Sequence, residues 1–290
     1  MNRSKGFILC GWVYCISFLV AFLSTYSSLG LHQWISISIG HIAATLCVFI
    51  FSVYNRNSSL YDPFWSVAPL PIALYLAFWP VSGEVNSEKI FLVLVPITYW
   101  SFRLTINWIR QWEGLGHEDF RYIDLKNKFN KNPYIIDFTG IHIYPTLQVN
   151  ISLFPIYFIL SVSTVKPNLF LYLSSVFTIL SVVLEHVADE QMKKFKKDPS
   201  NSAKTMQTGL WKYSRHPNYL GEALFWWGLY LMVLSLDHNY WWLIICPLSM
   251  TLMFTLATCS MMDNRSLEKR SDYADYMKKT SQLMLWPPKS

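Results

Sequence analysis

Apolar residues follow one another in long blocks that polar connections separate, and this pattern predicts a series of membrane-spanning helices. A helix needs roughly 20 apolar residues to cross the hydrocarbon core of a bilayer. The sequence contains eight blocks of suitable length and composition. We place the predicted spans at residues 7–27, 34–54, 64–80, 90–108, 149–165, 168–187, 219–235 and 240–259. The predicted fold class is all-α, a polytopic transmembrane helix bundle of about eight spans.

The composition agrees with a membrane protein. Hydrophobic residues make up 52% of the 290 residues and charged residues only 14%, whereas an average soluble domain carries about 25% charged residues. So few polar groups cannot cover a globular surface, and much of the surface must therefore face lipid. The five cysteines all lie within apolar runs and form no CxxC pair, which is typical of small buried residues.

The distribution of lysine and arginine predicts the orientation, because short cytoplasmic connections are enriched in basic residues. With both termini cytoplasmic, the outward connections contain only Lys89 and Lys166, and Arg103 lies within a span. The net charge of +6 then marks a basic cytoplasmic face, which suits anionic membrane lipids or a phosphorylated small molecule. We expect one integral-membrane domain over residues 1–290, in a bacterial inner membrane or the endoplasmic reticulum, with no nucleic-acid partner.

Four ionisable residues lie within predicted spans or at their inner ends. Arg103, Glu185 and Glu222 fall in the fourth, sixth and seventh spans, and Asp62 directly precedes the third. Charged side chains inside a bilayer are costly and indicate functional sites by default, although such residues can also extend toward water at the interface. Because all four fall in the cytoplasmic half, we expect them to line one polar cavity.

Helical spacing adds polar residues to the same faces. Asn107 and Arg110 follow Arg103 at intervals of four and three, so the fourth span presents two guanidinium groups, which match phosphate oxygens. On the sixth span, Asp189 follows Glu185 by four residues, and carboxylates suit ribose hydroxyls or an adenine amino group. The lysines that begin at Lys193 attract phosphate, or form an amphipathic helix on the membrane surface.

Residues 209–222 form the most informative segment. Pro217 is a favourable first-turn residue, so Arg215 and His216 lie at a helix N-terminus, where backbone donors favour an anion. Asn218 and Glu222 then share one face of the seventh span. Basic residues often precede a membrane span, which accounts for Arg215 and His216. It does not account for Asn218 and Glu222, so we favour a binding function for this segment.

Several common motifs are missing from the sequence. It contains no GxGxxG, no GxxxxGK[ST] and no HExxH, so a nucleotide would bind without a Rossmann or Walker loop and no metal site is predicted. The polar tail carries Arg265, Lys269, Asp272 and Tyr276 at intervals that predict one helical stripe. This stripe is either a solvated face or a cover for the cavity.

Residues 210–222 resemble the hallmark of the steroid 5-alpha-reductase superfamily, and more closely that of its branch of membrane proteins of unknown function. Residues 61–66, 103–105 with 118–122, and 185–195 fit the same branch, and so does the tail. The resemblance covers roughly residues 50–288. It implies a helical bundle that holds NADPH in its cytoplasmic half and reduces a carbon–carbon double bond conjugated to a carbonyl in a lipophilic, steroid- or isoprenoid-like substrate.

The resemblance and the spacing arguments together define a candidate site. The predicted cofactor-binding residues are Arg103, Asn107, Arg110, Arg121, Glu185, Asp189, Lys193, Tyr213, Arg215, His216, Asn218, Glu222 and Arg265. In this family a carboxylate and a tyrosine polarise the substrate carbonyl, and the corresponding catalytic candidates are Asp62 and Tyr99. The chain has Asp-Pro-Phe-Trp where a steroid reductase has Glu-Leu-Pro. This departure leaves the substrate, and reductase activity itself, open.

Two alternative functions compete with the reductase. The Arg-His-Pro-x-Tyr-x-Gly pattern also resembles that of membrane methyltransferases, which bind S-adenosylmethionine and act on isoprenyl-cysteine or phospholipid head groups. A methyl donor without phosphate would not require the guanidinium groups of the fourth span. The second alternative is a non-catalytic lipid- or sterol-binding membrane protein, which would oxidise no NADPH with any enone.

Overall fold

The computed structural model describes residues 3–128 and 132–289 of the chain. Within these residues the regular structure is helical, and the only β-type pairing is a single bridge between Ser214 and Ser281. The chain divides into two compact units, unit 1 at residues 1–164 and unit 2 at residues 165–290. The all-α prediction is confirmed, whereas the grouping of both units into one domain stays a prediction.

The helices of each unit agree with most of the predicted spans. Unit 1 contains α1 (Arg3–Ser27), α2 (Gln33–Asn55), α3 (Phe64–Val67), α4 (Pro69–Phe78), α5 (Ser87–Gln111), α6 (Phe120–Lys128) and α7 (Pro133–Val162). Unit 2 contains α8 (Leu169–Lys196), α9 (Pro217–Leu236), α10 (His238–Lys269) and α11 (Tyr273–Lys279). In the described part of the chain, seven helices are long and apolar enough to cross a membrane: α1, α2, α5, α7, α8, α9 and α10. The protein is a polytopic helical membrane protein.

The third predicted span, residues 64–80, is not a continuous helix. Pro69 and Pro71 lack the amide hydrogens that a helix needs at these positions, and the segment divides into α3 and α4. The broken pair nevertheless runs antiparallel to α2, because the Gln33 side chain at the start of α2 donates to the Trp79 carbonyl oxygen over 2.6 Å. The ring of Phe64, at the other end of the segment, lies 5.9 Å from that of His41, so the broken pair runs beside only the first part of α2. In the described part of the chain, seven of the predicted spans correspond to helices long and apolar enough to cross a membrane, and a crossing by residues 64–80 stays a prediction.

The fifth predicted span begins well before residue 149. Helix α7 starts at Pro133, and the Asn132 side chain caps it by accepting a hydrogen bond from the Tyr134 amide. The first turns carry Asp137 and His142, which hydropathy alone assigns to a connection. A π-helical stretch, Asp137–Ile143, brings these two residues together: their side chains lie 3.2 Å apart. The start of the span was missed in the sequence because its polar residues, Asp137 and His142, lower the hydropathy of these first turns.

Hydrogen bonds between polar side chains join α2 to α7 inside unit 1. His142 Nε2 lies 3.1 Å from Ser52 Oγ, and Thr146 Oγ1 lies 2.8 Å from Thr45 Oγ1. Because Thr45 donates to the His41 carbonyl oxygen, Thr146 must donate to Thr45. Lipid gives little hydrophobic driving force between helices, and such bonds contribute to their association.

Helices α8 and α9 pack so closely in unit 2 that glycine is required at the contact. A Cβ atom on Gly221 would lie 2.7 Å from the backbone nitrogen of Glu185, and one on Gly228 would lie 2.2 Å from Thr178 Oγ1. Small residues allow two backbones to approach in this way. The contact places Glu185 and Gly221, which precedes Glu222, at one level of the two helices.

The tail does not form the predicted single stripe. Helix α10 ends at Lys269, and Arg270 adopts an extended conformation before α11 begins. Asp272 instead accepts hydrogen bonds from the Thr205 amide and hydroxyl, at 3.0 and 2.6 Å. Of the predicted stripe, Arg265 and Lys269 therefore lie on α10, Asp272 lies between the helices, and Tyr276 lies on α11.

Candidate functional site

The hallmark segment of unit 2 is fixed on α8. Gly209 has a φ of +60°, and a Cβ atom there would meet the Gln191 side chain at 2.5 Å. Gln191 Oε1 accepts the Leu210 amide hydrogen over 2.9 Å, and the Trp211 indole donates to the Ala188 carbonyl oxygen over 3.0 Å. The segment therefore enters α9 from a defined position against the charged end of α8.

Arg215 and His216 bind a buried carboxylate of the same unit. Arg215 Nη2 and His216 Nε2 each lie 2.9 Å from an oxygen of Asp263, and the Tyr273 hydroxyl donates to Asp263 as well. Arg215 Nη1 also donates to the carbonyl oxygens of Met277 and Thr280, both at 3.0 Å. These contacts join the start of α9 to α10, α11 and the tail.

The role of Arg215 and His216 differs from simple cofactor binding. Their principal polar atoms already contact protein groups, which favours a positioning role at the start of α9. Asp263, which is only 4% exposed, is the residue that sequence reasoning missed. The available signal was an acidic residue directly after the apolar part of the last span.

Asn218 and Glu222 lie one turn apart on the same face of α9. Among residues 3–128 and 132–289, Asn218 Oδ1 is buried and has no hydrogen-bond partner. Glu222 is buried at 2% exposure and accepts a hydrogen bond from the Trp226 indole over 2.9 Å. Glu185 on α8 is also buried. A buried acceptor and two buried carboxyl groups thus occur on the two closely packed helices.

The remaining predicted residues of unit 2 lie nearer to solvent. Tyr213 is 39% exposed, and Lys212 Nζ lies 5.8 Å from the centre of its ring. Lys193 forms a 3.2 Å ion pair with Glu190 on the outer surface of α8. Asp189 and Arg265 are partly buried on α8 and α10. The helical positions of Glu185 and Asp189, four residues apart on α8, are as the spacing predicted.

The second candidate centre is Asp62 in unit 1, which contacts a tyrosine different from the one predicted. The Tyr122 hydroxyl donates a hydrogen bond to Asp62 Oδ1. Tyr122 lies on α6, next to Arg121, whose guanidinium group binds Asp119 through two hydrogen bonds of 2.9 Å. The segment 118–122, which carries part of the family resemblance, therefore surrounds Asp62.

The surroundings of Asp62 favour its neutral form. Burial raises the pKa of Asp62 from 3.8 to about 7, although Arg121 and the hydrogen bonds from Tyr122 and Ser59 act in the opposite direction. Burial also raises the pKa of Tyr122 well above its usual value, so this hydroxyl keeps its hydrogen. Near pH 7, Asp62 is therefore protonated in part of the molecules and can then donate a hydrogen bond, while Tyr122 donates its hydrogen to Asp62.

Tyr99 lies elsewhere on unit 1. It borders an open apolar groove of about 560 Å³ along α5, with Phe91, Val95 and Thr98. The residues near Asp62 pack instead toward the far end of α5, where Trp108 contacts the cluster that contains Tyr61. Tyr99 precedes Trp108 by about 13 Å of helix. The tyrosine in contact with Asp62 is therefore Tyr122, and a catalytic role for Tyr99 stays a prediction.

The polar residues of α5 occupy one continuous helix, as their spacing predicted. Arg103 is buried at 6% exposure, whereas Arg110 is exposed in the last turn of the helix. Asn107 Oδ1 accepts a hydrogen bond from the Gln111 side chain over 2.8 Å. Arg121 is paired with Asp119, which partly neutralises its charge. Arg103 and Arg110 thus lie two turns apart on α5, the first buried and the second exposed.

Polar contacts hold α6 over Asp62. Lys126 Nζ lies 2.8 Å from Glu118 Oε1 and 2.7 Å from Ser58 Oγ, and Glu118 accepts the Ser58 amide hydrogen over 2.7 Å. Helix α6 has no fully buried residue. These bonds, rather than apolar packing, therefore keep Tyr122 in place.

The fold and the two candidate centres define a multi-pass helical membrane protein with buried polar sites. The chain belongs to the family described as "Protein of unknown function (DUF1295)", whose model matches residues 48–280 and so includes the predicted residues from Asp62 to Arg265. The chain is similar to an uncharacterized protein of Schizosaccharomyces pombe, with 25% identity over 254 residues that cover 80% of this chain and 74% of the relative. No solved structure matches the chain.

Proposed function

We propose that this protein is a membrane-embedded reductase of the steroid 5-alpha-reductase superfamily, which uses NADPH to reduce a carbon–carbon double bond conjugated to a carbonyl. The substrate is a lipophilic, steroid- or isoprenoid-like molecule. The observation that carries the proposal is the contact between Asp62 and Tyr122. At pH 7 a carboxyl group with a pKa of about 7 is protonated in about half of the molecules, so Asp62, held by the Tyr122 hydroxyl, can donate a hydrogen bond to an enone carbonyl.

The acid pair suits the charge that develops during reduction. Tyr122 occupies Asp62 Oδ1, so the hydrogen of the neutral carboxyl group resides on Oδ2 and can be donated to a substrate oxygen. Such a donor stabilises negative charge on that oxygen as it forms in the transition state. Asp62 is partly buried, and the lower local dielectric strengthens such a hydrogen bond relative to water.

The residues of unit 2 fit a nicotinamide cofactor. Asn218 Oδ1 is a buried acceptor without a partner in the described chain, and it suits an amide or amino hydrogen of the cofactor. The carboxyl groups of Glu222 and Asp189 suit its ribose hydroxyls. When bound, NADPH would supply the two electrons for the reduction.

A methyltransferase is the competing enzyme, and cofactor selectivity distinguishes the two. We expect NADPH to raise the melting temperature of the detergent-solubilised full-length protein, and S-adenosylmethionine to leave it unchanged. Asn218→Ala and Glu222→Gln should reduce the NADPH-induced shift. Asn239→Ala, an exposed asparagine beyond the opposite end of α9, is the matched control and should retain it. Stabilisation by S-adenosylmethionine alone would reject the reductase.

A non-catalytic lipid-binding protein predicts a different result. In that case no enone would cause NADPH oxidation, and both Asn218 and Glu222 could be replaced by alanine without loss of function. The buried position of Glu222 argues against such tolerance, because charged groups within a membrane are retained at a cost. A set of steroidal and isoprenoid enones, assayed with the protein in lipid nanodiscs, separates these cases.

A further inference from the structure

The C-terminal segment of unit 2 presents apolar side chains to its surroundings in an ordered conformation. Leu283 is buried against Leu220 and Cys259, but the three residues that follow it are exposed: Met284 at 51%, Leu285 at 39% and Trp286 at 64%. Ser214 donates to the Leu283 carbonyl oxygen over 2.7 Å, and the Trp286 amide donates to the Tyr213 carbonyl oxygen over 3.2 Å. The exposed triplet is therefore held in place by the hallmark segment.

Two neighbouring helices define the level of this triplet relative to the membrane. Tyr213 lies four residues before Pro217, where the membrane-spanning α9 begins. The adjacent Trp211 donates to the carbonyl oxygen of Ala188, at the point where α8 changes from apolar residues to charged ones. Both helices thus place Tyr213 and Trp286 where a bilayer changes from hydrocarbon to head groups.

The surroundings of the triplet are basic. Lys212 Nζ lies 5.8 Å from the centre of the Tyr213 ring. The amide of Lys289 donates to the carbonyl oxygen of Lys279 over 2.9 Å, which brings a second pair of lysines to the same segment. Aromatic residues concentrate at membrane interfaces, and lysines close to a bilayer attract anionic lipids.

We infer that these residues form a lipid-binding surface for anionic phospholipid head groups. This terminal patch consists of Lys212, Tyr213, Met284, Leu285, Trp286 and Lys289. The apolar triplet enters the interface, and the lysines contact the phosphates, so the bilayer fixes the tail against the start of α9. The inference does not depend on the proposed reductase activity.

The depth of Trp286 tests the insertion of the triplet. The full-length protein is reconstituted in nanodiscs of phosphatidylcholine and phosphatidylglycerol with bromine atoms either near the carbonyl end or near the methyl end of the acyl chains. The emission of Trp286 is obtained by subtracting the spectrum of Trp286→Phe. We expect quenching mainly by the lipid with bromine near the carbonyl end, and little quenching by iodide in solution.

Two results would overturn the insertion. Quenching by iodide with none by brominated lipid would place Trp286 in water. Protection from both quenchers, in a particle that contains two copies of the chain, would show that a second copy covers the patch.

The charge requirement has its own test. The melting temperature of wild type is measured in nanodiscs with and without phosphatidylglycerol, and we expect the anionic lipid to raise it. The double variant Lys212→Gln/Lys289→Gln should lose part of this increase, whereas Lys128→Gln, an exposed lysine of unit 1, should retain it. An equal increase in all three proteins would contradict a role for the patch lysines.

Discussion

The Tyr122 hydroxyl donates a hydrogen bond to the Asp62 carboxyl group, and this contact joins the loop before α3 to helix α6. The two residues lie 60 positions apart in the sequence. Each belongs to a segment that resembles the superfamily, so their contact connects two separate parts of that resemblance. The account of unit 1 depends on this pair.

The first prediction concerns the two tyrosines. Tyr122→Phe removes the hydrogen bond that holds Asp62 Oδ1 in place, and the rate of enone-dependent NADPH oxidation should fall by about tenfold, as for loss of one hydrogen bond to a carboxyl group. Tyr99→Phe should have a much smaller effect, since Tyr99 lies in the open groove along α5. Steady-state rates in nanodiscs measure both variants. A larger loss for Tyr99→Phe would instead support Tyr99 as the catalytic tyrosine, as the sequence predicts.

The second prediction concerns pH. The folded protein holds the Asp62 proton more tightly than the unfolded chain, because the pKa is raised from 3.8 to about 7. The stabilisation from this proton is fully present below pH 4 and is lost as the pH rises through 7. Asp62→Asn keeps an acceptor for Tyr122 but carries no charge. Its melting temperature relative to wild type should therefore increase from pH 5 to pH 8.

The exposed Asp275 supplies the control for this titration. Asp275→Asn should show no comparable increase relative to wild type, because the hydrogen bond and the charge of Lys278 lower the pKa of this exposed carboxyl group. If Asp62→Asn and wild type respond equally to pH in detergent, Asp62 is ionised throughout the range and cannot serve as a neutral acid.

The third prediction concerns the buried carboxylate of Asp263. Asp263→Asn leaves the Arg215 guanidinium group without its counter-charge, and breaking a buried ion pair in this way costs about 3–5 kcal/mol. We expect a large decrease in unfolding free energy, measured by denaturation in mixed micelles. Replacing both partners, as in Asp263→Asn with Arg215→Met, should recover part of the loss. A decrease no larger than that of Asp275→Asn would contradict a buried ion pair between Asp263 and Arg215.

The fourth prediction concerns the close approach of α8 and α9. Gly221→Ala places a Cβ atom 2.7 Å from the Glu185 backbone nitrogen and should destabilise the protein by about 1–3 kcal/mol, as for overpacking. Gly11→Ala is the matched control in a helix, because a Cβ atom there meets nothing within 4 Å. The control should leave stability unchanged or increase it by less than about 1 kcal/mol. Equal effects of the two substitutions would contradict the packing.

The sequence predicted the long apolar helices well, and its failures have physical causes. Hydropathy detects lipid-facing helices, but it missed the start of α7 because Asp137 and His142 satisfy each other inside unit 1. It also could not predict the break before Pro69 from the average apolar character of residues 64–80. The helices α5 and α8 continue without interruption through the polar positions, so the spacing of these residues places them along common faces, as the periodicity predicts.

The site was only partly accessible from the sequence. The positions of Asn218 and Glu222 on one face follow from their spacing. The partner of Arg215 and His216 does not, since Asp263 lies 48 and 47 residues further along the chain. The contact of Tyr122 with Asp62 likewise depends on the tertiary placement of α6. Pairings over such distances require coordinates.

The most direct test of the central claim is a titration of NADPH into the purified full-length protein and its Asn218→Ala variant. Asn218 Oδ1 contacts no donor in the described chain, so the variant should melt no lower than wild type without cofactor. Its affinity for NADPH should fall by about tenfold, as expected for one buried hydrogen bond. Saturable binding to wild type with this loss in the variant is the predicted result. No binding to wild type, or equal affinity in both proteins, would contradict the account.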